Sequence, residues 1–339
     1  MKFMRFAGIF LLVILFQSCS DPNQFKESHY NGYAQGTTFH ISYLYKGDDI
    51  ADMDKVLKQH FEAVDLALST YKDNSLISRI NRGDTIETND IFQIVHNKSL
   101  EVWKASGGYF DPTVGKLVRF WGFGPDARRA VDTSAVDSIK AYIGLERLDP
   151  IAARWAIPSG MELDYNAIAQ GYTVDLLCEM LEARGIKNYM VEVGGEVRCL
   201  GHNLKEEAWR IGVDKPTENI DQQDRFQFIL GMDSMSLATS GNYRKFWVDT
   251  ISGMRYAHTI NTQTGYPAKN RLLSASVIAP TCMEADAYAT AFMSMGLQKS
   301  LEFLRNSQAP LEVYLIYSEE GKEDWQVYQS EGFKAKILN

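Results

Sequence analysis

Strand-type and helix-type segments follow one another along this chain after residue 31. "TFHISYLY" at 38–45 alternates polar and apolar residues with the two-residue period of a strand. "DMDKVLKQHFEAVDLALSTY" at 52–71 instead places its apolar residues at helical spacing. No internal repeat, low-complexity tract or long linker interrupts residues 32–339. The pattern predicts the α+β class, as one mixed α/β domain, 32–339, made of two intimately packed subdomains.

Further segments continue this pattern. Asn89 has the position of a cap for a helix that ends at "SGG", and Gly185 closes a helix over "NAIAQGYTVDLLCEMLEARG". "CMEADAYATAF" at 282–292 is a short helix, because Thr281 and Glu284 have capping-box spacing and Gly296 follows. The predicted later strands are "YMVEV", "WRIGVD", "RFQFILGM", "LLSASVIA", "LEVYLIYS" and "WQVYQ".

The chain begins with a targeting segment. Lys2 and Arg5 precede "FAGIFLLVILF", an apolar run too short to span a bilayer comfortably. Residues 1–18 are therefore predicted to be a signal peptide. Cys19 directly after this run resembles a bacterial lipoprotein cleavage site, so lipidation at Cys19 is expected; an ordinary secretory signal with an incidental cysteine is the alternative. The polar residues 19–31 are predicted to be a tether.

Charge and cysteine content exclude several functions. The 35 basic and 43 acidic residues give a net charge of −8, so no basic field for nucleic acid is expected. A phosphate-bearing ligand would need a metal ion or backbone amides. The remaining cysteines, Cys178, Cys199 and Cys282, are widely separated and show no disulfide framework or zinc spacing, which predicts isolated core cysteines.

Asp286 and Thr290 are hard oxygen groups one turn apart on the 282–292 helix. Such a pair can reach a small divalent cation, and Mg²⁺ prefers oxygen ligands with phosphate oxygens completing the set. Alternatively, Asp286 is a solvated helix residue and Thr290 bonds back to a carbonyl of its own helix. The pair by itself leaves both interpretations open.

Other polar or glycine-marked stretches carry weaker signals. Gly171 lies inside a helical pattern, which indicates close approach of a ligand or of another helix. Turns at 107–115, 193–201 and 238–246 can present backbone amides to phosphates or a flavin ring, but none matches a P-loop or a dinucleotide fingerprint. His258 before a Thr-Gly turn is either structural or a proton acceptor for a hydroxyl nucleophile.

Read together, these stretches resemble the ApbE family, the FAD:protein FMN transferases, whose fold is ApbE-like and T-fold-like. Eight blocks occur in the family's order over most of the chain. They are "QGTTF", "LSTYKDNSLISRIN", "GGYFDPTVGKLVRFWGFG", "LDYNAIAQGYTVD", "VEVGGEVRCLG", "LATSGNYRKF", "HTINTQTGYP" and "ASVIAPTCMEADAYATAF".

The resemblance implies specific residue roles. Asp286 and Thr290 would be side-chain Mg²⁺ ligands, and Ala167 would add its backbone carbonyl. His258 and Asp164 would be catalytic. The residues implied to contact FAD are Gln35, Tyr71, Tyr109, Phe110, Asp111, Asp164, Gln170, Thr259 and Ile260. The chain departs from the family at Gln35, which is often Met, at Gln170, which is often Lys, and at Asn261 and Thr262, which are often Asp-Pro.

The implied activity is protein flavinylation. The enzyme would use Mg²⁺ to transfer the FMN part of FAD to a Thr or Ser hydroxyl, releasing AMP. The implied acceptor is an exported flavoprotein subunit of a membrane electron-transfer complex. We expect a lipoprotein anchored to a membrane facing the periplasm, with the inner membrane as the expected location, and a homodimer stays open. The alternatives are an Mg²⁺-dependent FAD pyrophosphatase and a non-catalytic FAD-binding lipoprotein.

Overall fold

The computed structural model describes residues 24–124, 131–148, 154–216, 225–242, 246–248, 255–322 and 324–338. The predicted signal peptide at 1–18 and the predicted lipidation residue Cys19 lie outside the described residues.

The strands and helices that the sequence predicts occur in the predicted order, and the structure adds further elements between them. The helices are α1 (Met53–Leu68), α2 (Leu76–Asn81), α3 (Asp90–Ala105), α4 (Gly115–Phe120), α5 (Val136–Lys140), α6 (Ala169–Glu182), α7 (Cys282–Met295), α8 (Leu297–Asn306) and α9 (Glu331–Lys334), with 3₁₀ turns at Thr133–Ala135 and Leu145–Arg147. The strands are β1 (Lys26–Ala34), β2 (Thr37–Tyr45), β3 (Tyr189–Val193), β4 (Glu196–Leu200), β5 (Trp209–Asp214), β6 (Phe226–Met232), β7 (Met235–Gly241), β8 (Phe246–Val248), β9 (Arg255–Ala257), β10 (Leu272–Ala279), β11 (Glu312–Tyr317), β12 (Gln326–Gln329) and β13 (Ile337–Leu338).

The first strand corrects the predicted tether. Residues 19–31 were expected to link an anchor to the domain, but β1 begins at Lys26 and pairs with β2 over its whole length, from Lys26 opposite Tyr45 to Ala34 opposite Thr37. β1 lies at the edge of its sheet, and most of its side chains are exposed or only partly buried. An edge strand of this kind tolerates polar residues, which is why its sequence resembles a linker.

One large antiparallel sheet organises the domain. Its strand order is β1-β2-β3-β4-β7-β10-β11-β12. A three-stranded sheet, in the order β13-β6-β5, and the β8–β9 hairpin complete the strands. The confirmed fold class is therefore α+β, with helices packed against antiparallel sheets.

The core divides between the two faces of the large sheet. On one face, α1 and α6 pack on β2 and β3, and α3 and α7 pack on β10 and β11. On the other face, the three-stranded sheet and α9 pack on β4, β7, β10 and β11. Cys178, Cys199 and Cys282 are free thiols in these cores, as predicted, and burial raises the pKa of each thiol. Within the described residues, no helix has the length and apolar character needed to cross a bilayer.

Candidate active site

The start of α6 packs tightly against the start of α7, with Gly171 at the contact. A Cβ built on Gly171 would lie 2.4 Å from the carbonyl oxygen of Cys282 and 2.9 Å from Cβ of Asp286. The sequence left open whether a ligand or a helix comes close to this glycine. The structure shows that a helix backbone does, because any side chain at position 171 would overlap α7.

Asp286 and Thr290 lie on α7, whose first turn is capped as predicted. The Thr281 hydroxyl oxygen accepts a hydrogen bond from Glu284 N at 3.3 Å. Asp286 is buried, and its Oδ2 accepts from Gly171 N at 3.1 Å, across the helix contact. Thr290 Oγ1 lies 3.3 Å from Ser240 Oγ at the end of β7. The carboxylate is therefore held at the amino-terminal end of α6, where helix dipole and backbone amide both favour a negative charge.

The predicted metal ligands are all hard oxygen donors, and they stay a prediction. Asp286 supplies a carboxylate and Thr290 a hydroxyl, and Ala167 lies in the turn that precedes α6. No group of three or more His, Cys, Asp or Glu in the described part of the chain could hold a metal ion. Donors of this kind fit Mg²⁺, which usually binds through one or two carboxylates and takes its other ligands from water and substrate phosphates. We call Ala167, Gln170, Gly171, Asp286 and Thr290 the α6–α7 corner.

The β1–β2 turn lies beside this corner. Gln35 adopts a left-handed backbone conformation with φ of 52°, and its Oε1 lies 3.1 Å from the Thr173 hydroxyl on α6. Gln170 lies against the β3–β4 turn, since its Nε2 would be 2.9 Å from a Cβ at Gly194. Gln35 and Gln170 therefore both lie around the start of α6, Gln35 from the β1–β2 turn and Gln170 against the β3–β4 turn.

Tyr71 and Asp164, two further predicted site residues, lie near each other. Tyr71 follows α1 and is 63% exposed. Partial burial raises the pKa of the Tyr71 hydroxyl, and the nearby negative charge of Asp164 raises it further. Burial also raises the pKa of the Asp164 carboxyl, although the amide of Asn166, which donates to Asp164 Oδ1 at 2.8 Å, lowers it in part. A carboxylate desolvated in this way accepts a proton more readily than a solvated one.

The 107–113 turn contributes groups that point into the protein. Phe110 is part of the core formed with α3 and α7. Asp111 is buried and accepts hydrogen bonds from Thr113 N at 2.8 Å, Thr113 Oγ1 at 2.6 Å and Trp103 Nε1 at 3.1 Å. Burial raises the pKa of Asp111 against these hydrogen bonds. Tyr109 is partly exposed, and the Lys299 ammonium lies 4.8 Å from the centre of its ring.

The 258–267 turn packs against the 107–113 turn. The Thr262 hydroxyl donates to the carbonyl of Gly108 at 2.5 Å. Asn261 closes the turn from within, because its Oδ1 accepts from Gln263 N and Thr264 N at 3.0 Å and its Nδ2 donates to Ser294 O at 3.1 Å. The side chains of Asn261 and Thr262 therefore hold the turn in place. We call residues 107–113 and 258–267 the two-turn wall.

The residues of this turn that were predicted to act in catalysis or to contact FAD differ in their exposure to solvent. His258 is partly exposed, with its ring edge-on to Phe123 at 6.5 Å between ring centres. Thr259 and Ile260 are buried, and the Ile260 carbonyl accepts from the Ser294 hydroxyl of α7 at 3.3 Å. The carboxyl-terminal half of α7 therefore fixes the two-turn wall, while its first half carries Asp286.

Comparison with known proteins identifies the family of this chain. The family model described as "ApbE family" matches residues 35–315 of the chain. The chain belongs to the ApbE family. The family predicted from the eight sequence blocks is thus confirmed, and all eight blocks lie within the matched residues.

Curated ApbE relatives have a consistent name. The "FAD:protein FMN transferase" of Vibrio cholerae is 33% identical over 332 residues, which is 95% of this chain and 96% of the relative. The "FAD:protein FMN transferase" of Haemophilus influenzae is 31% identical over 325 residues, which is 91% of this chain and 92% of the relative. These relatives are enzymes, so the predicted enzyme class is confirmed.

Solved ApbE structures share the fold. The "Flavin Transferase ApbE from Vibrio cholerae" superimposes with a TM-score of 0.81 at 32% identity, covering 92% of this chain and 99% of that one. The apo form of the Pseudomonas stutzeri "flavinyl transferase ApbE" also has a TM-score of 0.81, at 28% identity, covering 94% of this chain and 99% of that one.

Two residues next to the predicted site residues were not indicated by the sequence. Ser240 lies beside Thr290, within the "LATSGNYRKF" block, and could have been considered as a further hydroxyl donor. Buried His96 bonds through Nδ1 to the Tyr165 hydroxyl at 2.7 Å, under the turn that carries Asp164 and Ala167. No local pattern links His96 to that turn, because 69 residues separate it from Tyr165.

Proposed function

We propose that this protein is an Mg²⁺-dependent FAD:protein FMN transferase. It transfers the FMN part of FAD to a Thr or Ser hydroxyl of an acceptor protein and releases AMP. One observation carries the proposal: the Asp286 carboxylate is held on a first-turn amide of α6, with Thr290 one turn further along α7, in a chain that matches the ApbE family along most of its length.

The α6–α7 corner suits a pyrophosphate group. The protein has a net charge of −8, so charge neutralisation at the phosphates needs a local device rather than a basic surface. Asp286, Thr290 and the Ala167 carbonyl would hold Mg²⁺, which when bound offsets the negative charge that develops in phosphoryl transfer. The Asp286 carboxylate is held by the Gly171 amide at the packed contact of the two helices, which limits the reorganisation needed to bind.

Proton transfer falls to groups at the rim of the site. His258 is partly exposed beside Phe123, where an imidazole can accept the proton of an incoming hydroxyl. Asp164 is the second candidate, because burial raises the pKa of its carboxyl. Tyr71, which is largely exposed next to Asp164, offers a ring face for the flavin or the adenine.

Positioning of FAD would involve the residues around the start of α6 and the two-turn wall. Gln35 and Gln170 flank the start of α6, and the two-turn wall lies at the other end of α7. Tyr109 offers a partly exposed ring with Lys299 beside it. The buried residues Phe110, Asp111, Thr259 and Ile260 would act through the shape and backbone of the wall.

We also propose where the reaction takes place. The amino-terminal segment supports export, and Cys19 supports a lipid anchor on a membrane facing the periplasm, with the inner membrane as the proposed location. An anchored transferase would meet the flavin-carrying subunits of membrane electron-transfer complexes, which are the proposed acceptors. Whether two copies associate is left to a measurement of mass in solution.

The test is an assay with FAD, Mg²⁺ and the extramembrane domain of a candidate acceptor subunit. The expected result is flavin fluorescence on the acceptor in a denaturing gel, together with AMP in equal amount. The matched control is the same acceptor with its target Thr replaced by Val, which should stay unlabelled. Release of FMN and AMP without labelling would instead support a pyrophosphatase. FAD binding without any AMP would support a storage lipoprotein and would refute the enzyme proposal.

A further inference from the structure

Each of the helices α6 and α7 places a carboxylate against the amino-terminal amides of the other. Asp286 of α7 accepts from Gly171 N, a first-turn amide of α6. In return, Asp175 of α6 accepts from the first two amides of α7, with Oδ1 3.0 Å from Cys282 N and Oδ2 2.8 Å from Met283 N. Each helix thus supplies an anion to the positive end of the other, where unsatisfied amides and the helix dipole favour it.

This reciprocal pair of carboxylate contacts fixes the separation of the two helices and their rotation relative to each other. Because Gly171 has no side chain, the backbones touch at Cys282, and the two carboxylates accept from the amides of these same two residues. A shift of α7 along α6 would break the hydrogen bonds of Asp175 and of Asp286 together. The orientation of the Asp286 carboxylate therefore depends on Asp175, although these two side chains make their contacts on different helices.

Arg198 holds Asp175 from the sheet side. Its Nη1 donates to Asp175 Oδ1 at 2.9 Å, and its Nη2 lies 3.4 Å from Glu182 Oε1. The side chain of Asp175 is only 6% exposed. Burial raises the pKa of Asp175, whereas the amides of Met283 and Cys282 and the Arg198 charge lower it. A buried carboxylate with these partners is rigid, because each of its oxygens is bonded to a backbone amide.

We propose that Asp175, supported by Arg198, is a positioning residue for metal binding: it sets the start of α7 so that Asp286 and Thr290 present their oxygens to the cation. This inference rests on the proposed function, because it assigns Mg²⁺ to the α6–α7 corner. Asp175 belongs to the "LDYNAIAQGYTVD" block but is not itself among the predicted ligands. Groups that orient a metal ligand from behind affect metal affinity by about 10–100-fold when they are changed.

The test compares Asp175→Asn with Asp214→Asn. Asp214 is a matched control, because its side chain is 8% exposed and paired with Arg225 at 2.7 Å, but it lies on β5 in the three-stranded sheet. The first measurement is Mn²⁺ binding followed by electron paramagnetic resonance, with ADP present to supply pyrophosphate oxygens. The second is the Mg²⁺ concentration that half-saturates FMN transfer, measured together with the maximal rate.

Asp175→Asn is expected to weaken Mn²⁺ binding and to raise the half-saturating Mg²⁺ concentration by about 10–100-fold. Excess Mg²⁺ should restore most of the maximal rate, whereas Asp214→Asn should bind metal like the wild type. Arg198→Gln, which leaves the amide contacts of Asp175 in place, should shift both quantities in the same direction by a smaller factor. It serves as the test if Asp175→Asn does not fold.

Unchanged metal binding in the folded variants would overturn the positioning role, even if the maximal rate fell. A failed transferase would be recognised separately, because the wild type itself would then label no acceptor at any Mg²⁺ concentration.

Discussion

The α6–α7 corner and the two-turn wall both carry predicted site residues, but they use them differently. In the corner, the Asp286 carboxylate accepts from the Gly171 amide of the neighbouring helix, and Thr290 lies beside another hydroxyl. In the wall, the Asp111 carboxylate is surrounded by donors from Thr113 and Trp103 of the protein itself. The polar contacts of the corner therefore join two helices and the end of a strand, while those of Asp111 stay within the wall and its neighbouring helix and hold its shape.

This difference shows that a residue in a family motif can serve a site in two ways. Asp286 can act through its own oxygens, and a change there should affect chemistry directly. Asp111 and Asn261 act through the turns that they close, and changes to their partners should affect stability first. The turn with Asp164 and Ala167 lies over the buried His96–Tyr165 pair, so its geometry depends on the core beneath it.

Removal of the Asp286 carboxylate should have the largest effect on the corner. Asp286→Ala is expected to slow AMP release by about 100-fold or more, because a bound metal ion contributes several kcal/mol to charge stabilisation. The measurement is AMP formation by chromatography, with circular dichroism to check the fold. Glu284→Ala is the control on the same helix, since Glu284 pairs with Lys98 at 2.8 Å. Undiminished turnover in Asp286→Ala would refute the metal assignment.

Low pH should lower the free energy of unfolding through His96, which is buried beneath the 163–168 turn. Burial lowers the pKa of His96 to about 4, below the value of about 6.5 expected in the unfolded chain. His96 therefore binds a proton less tightly in the folded state than in the unfolded chain. The stability of the folded state is complete above pH 6.5 and falls as the pH approaches 4, by up to about 3 kcal/mol from this group. Urea unfolding at both pH values should show a smaller loss for His96→Gln, and parallel pH curves would contradict the prediction.

A methyl group at the helix contact should disturb the corner without touching a ligand. In Gly171→Ala the new Cβ would lie 2.4 Å from Cys282 O, so α7 must move. Overpacking of this kind costs about 1–3 kcal/mol, and the half-saturating Mg²⁺ concentration should rise. Gly185→Ala is the matched control: its φ of 78° strains an alanine, but nothing lies within 4 Å of the new Cβ. If both variants lose stability and neither changes the Mg²⁺ dependence, the contact does not position the ligands.

The smallest effect is expected for a substitution in the two-turn wall, which should lower the stability of the fold and leave the Mg²⁺ dependence unchanged. Thr113→Val removes the hydroxyl that donates to Asp111 Oδ1 at 2.6 Å and accepts from Gly144 N at 2.8 Å. Leaving a buried amide without its acceptor costs about 1–3 kcal/mol. Thermal unfolding should record this loss, while the half-saturating Mg²⁺ concentration stays at the wild-type value. A shift in that concentration would remove the distinction between corner and wall.

Local sequence signals located most of the helices and strands near the site. The Asn89 cap is confirmed by its side chain, which accepts from Phe92 N at 2.9 Å, and the Thr281 cap of α7 is confirmed in the same way. The tether prediction for 19–31 was wrong from Lys26 onwards, where polar residues form an edge strand. Caps and helical periods are local, so a sequence displays them. Edge strands owe their structure to a partner strand, which their own composition does not display.

The sequence by itself determined the family and the one-turn spacing of Asp286 and Thr290. Tertiary structure decided why Gly171 is a glycine, what holds the Asp286 carboxylate, and which motif residues face inward. The physical reason is distance along the chain. The contact between Gly171 and Asp286 joins residues 115 positions apart, and that between Thr262 and Gly108 joins residues 154 apart. Such contacts form only when the sheet and the helix packing close the chain, and no local periodicity encodes them.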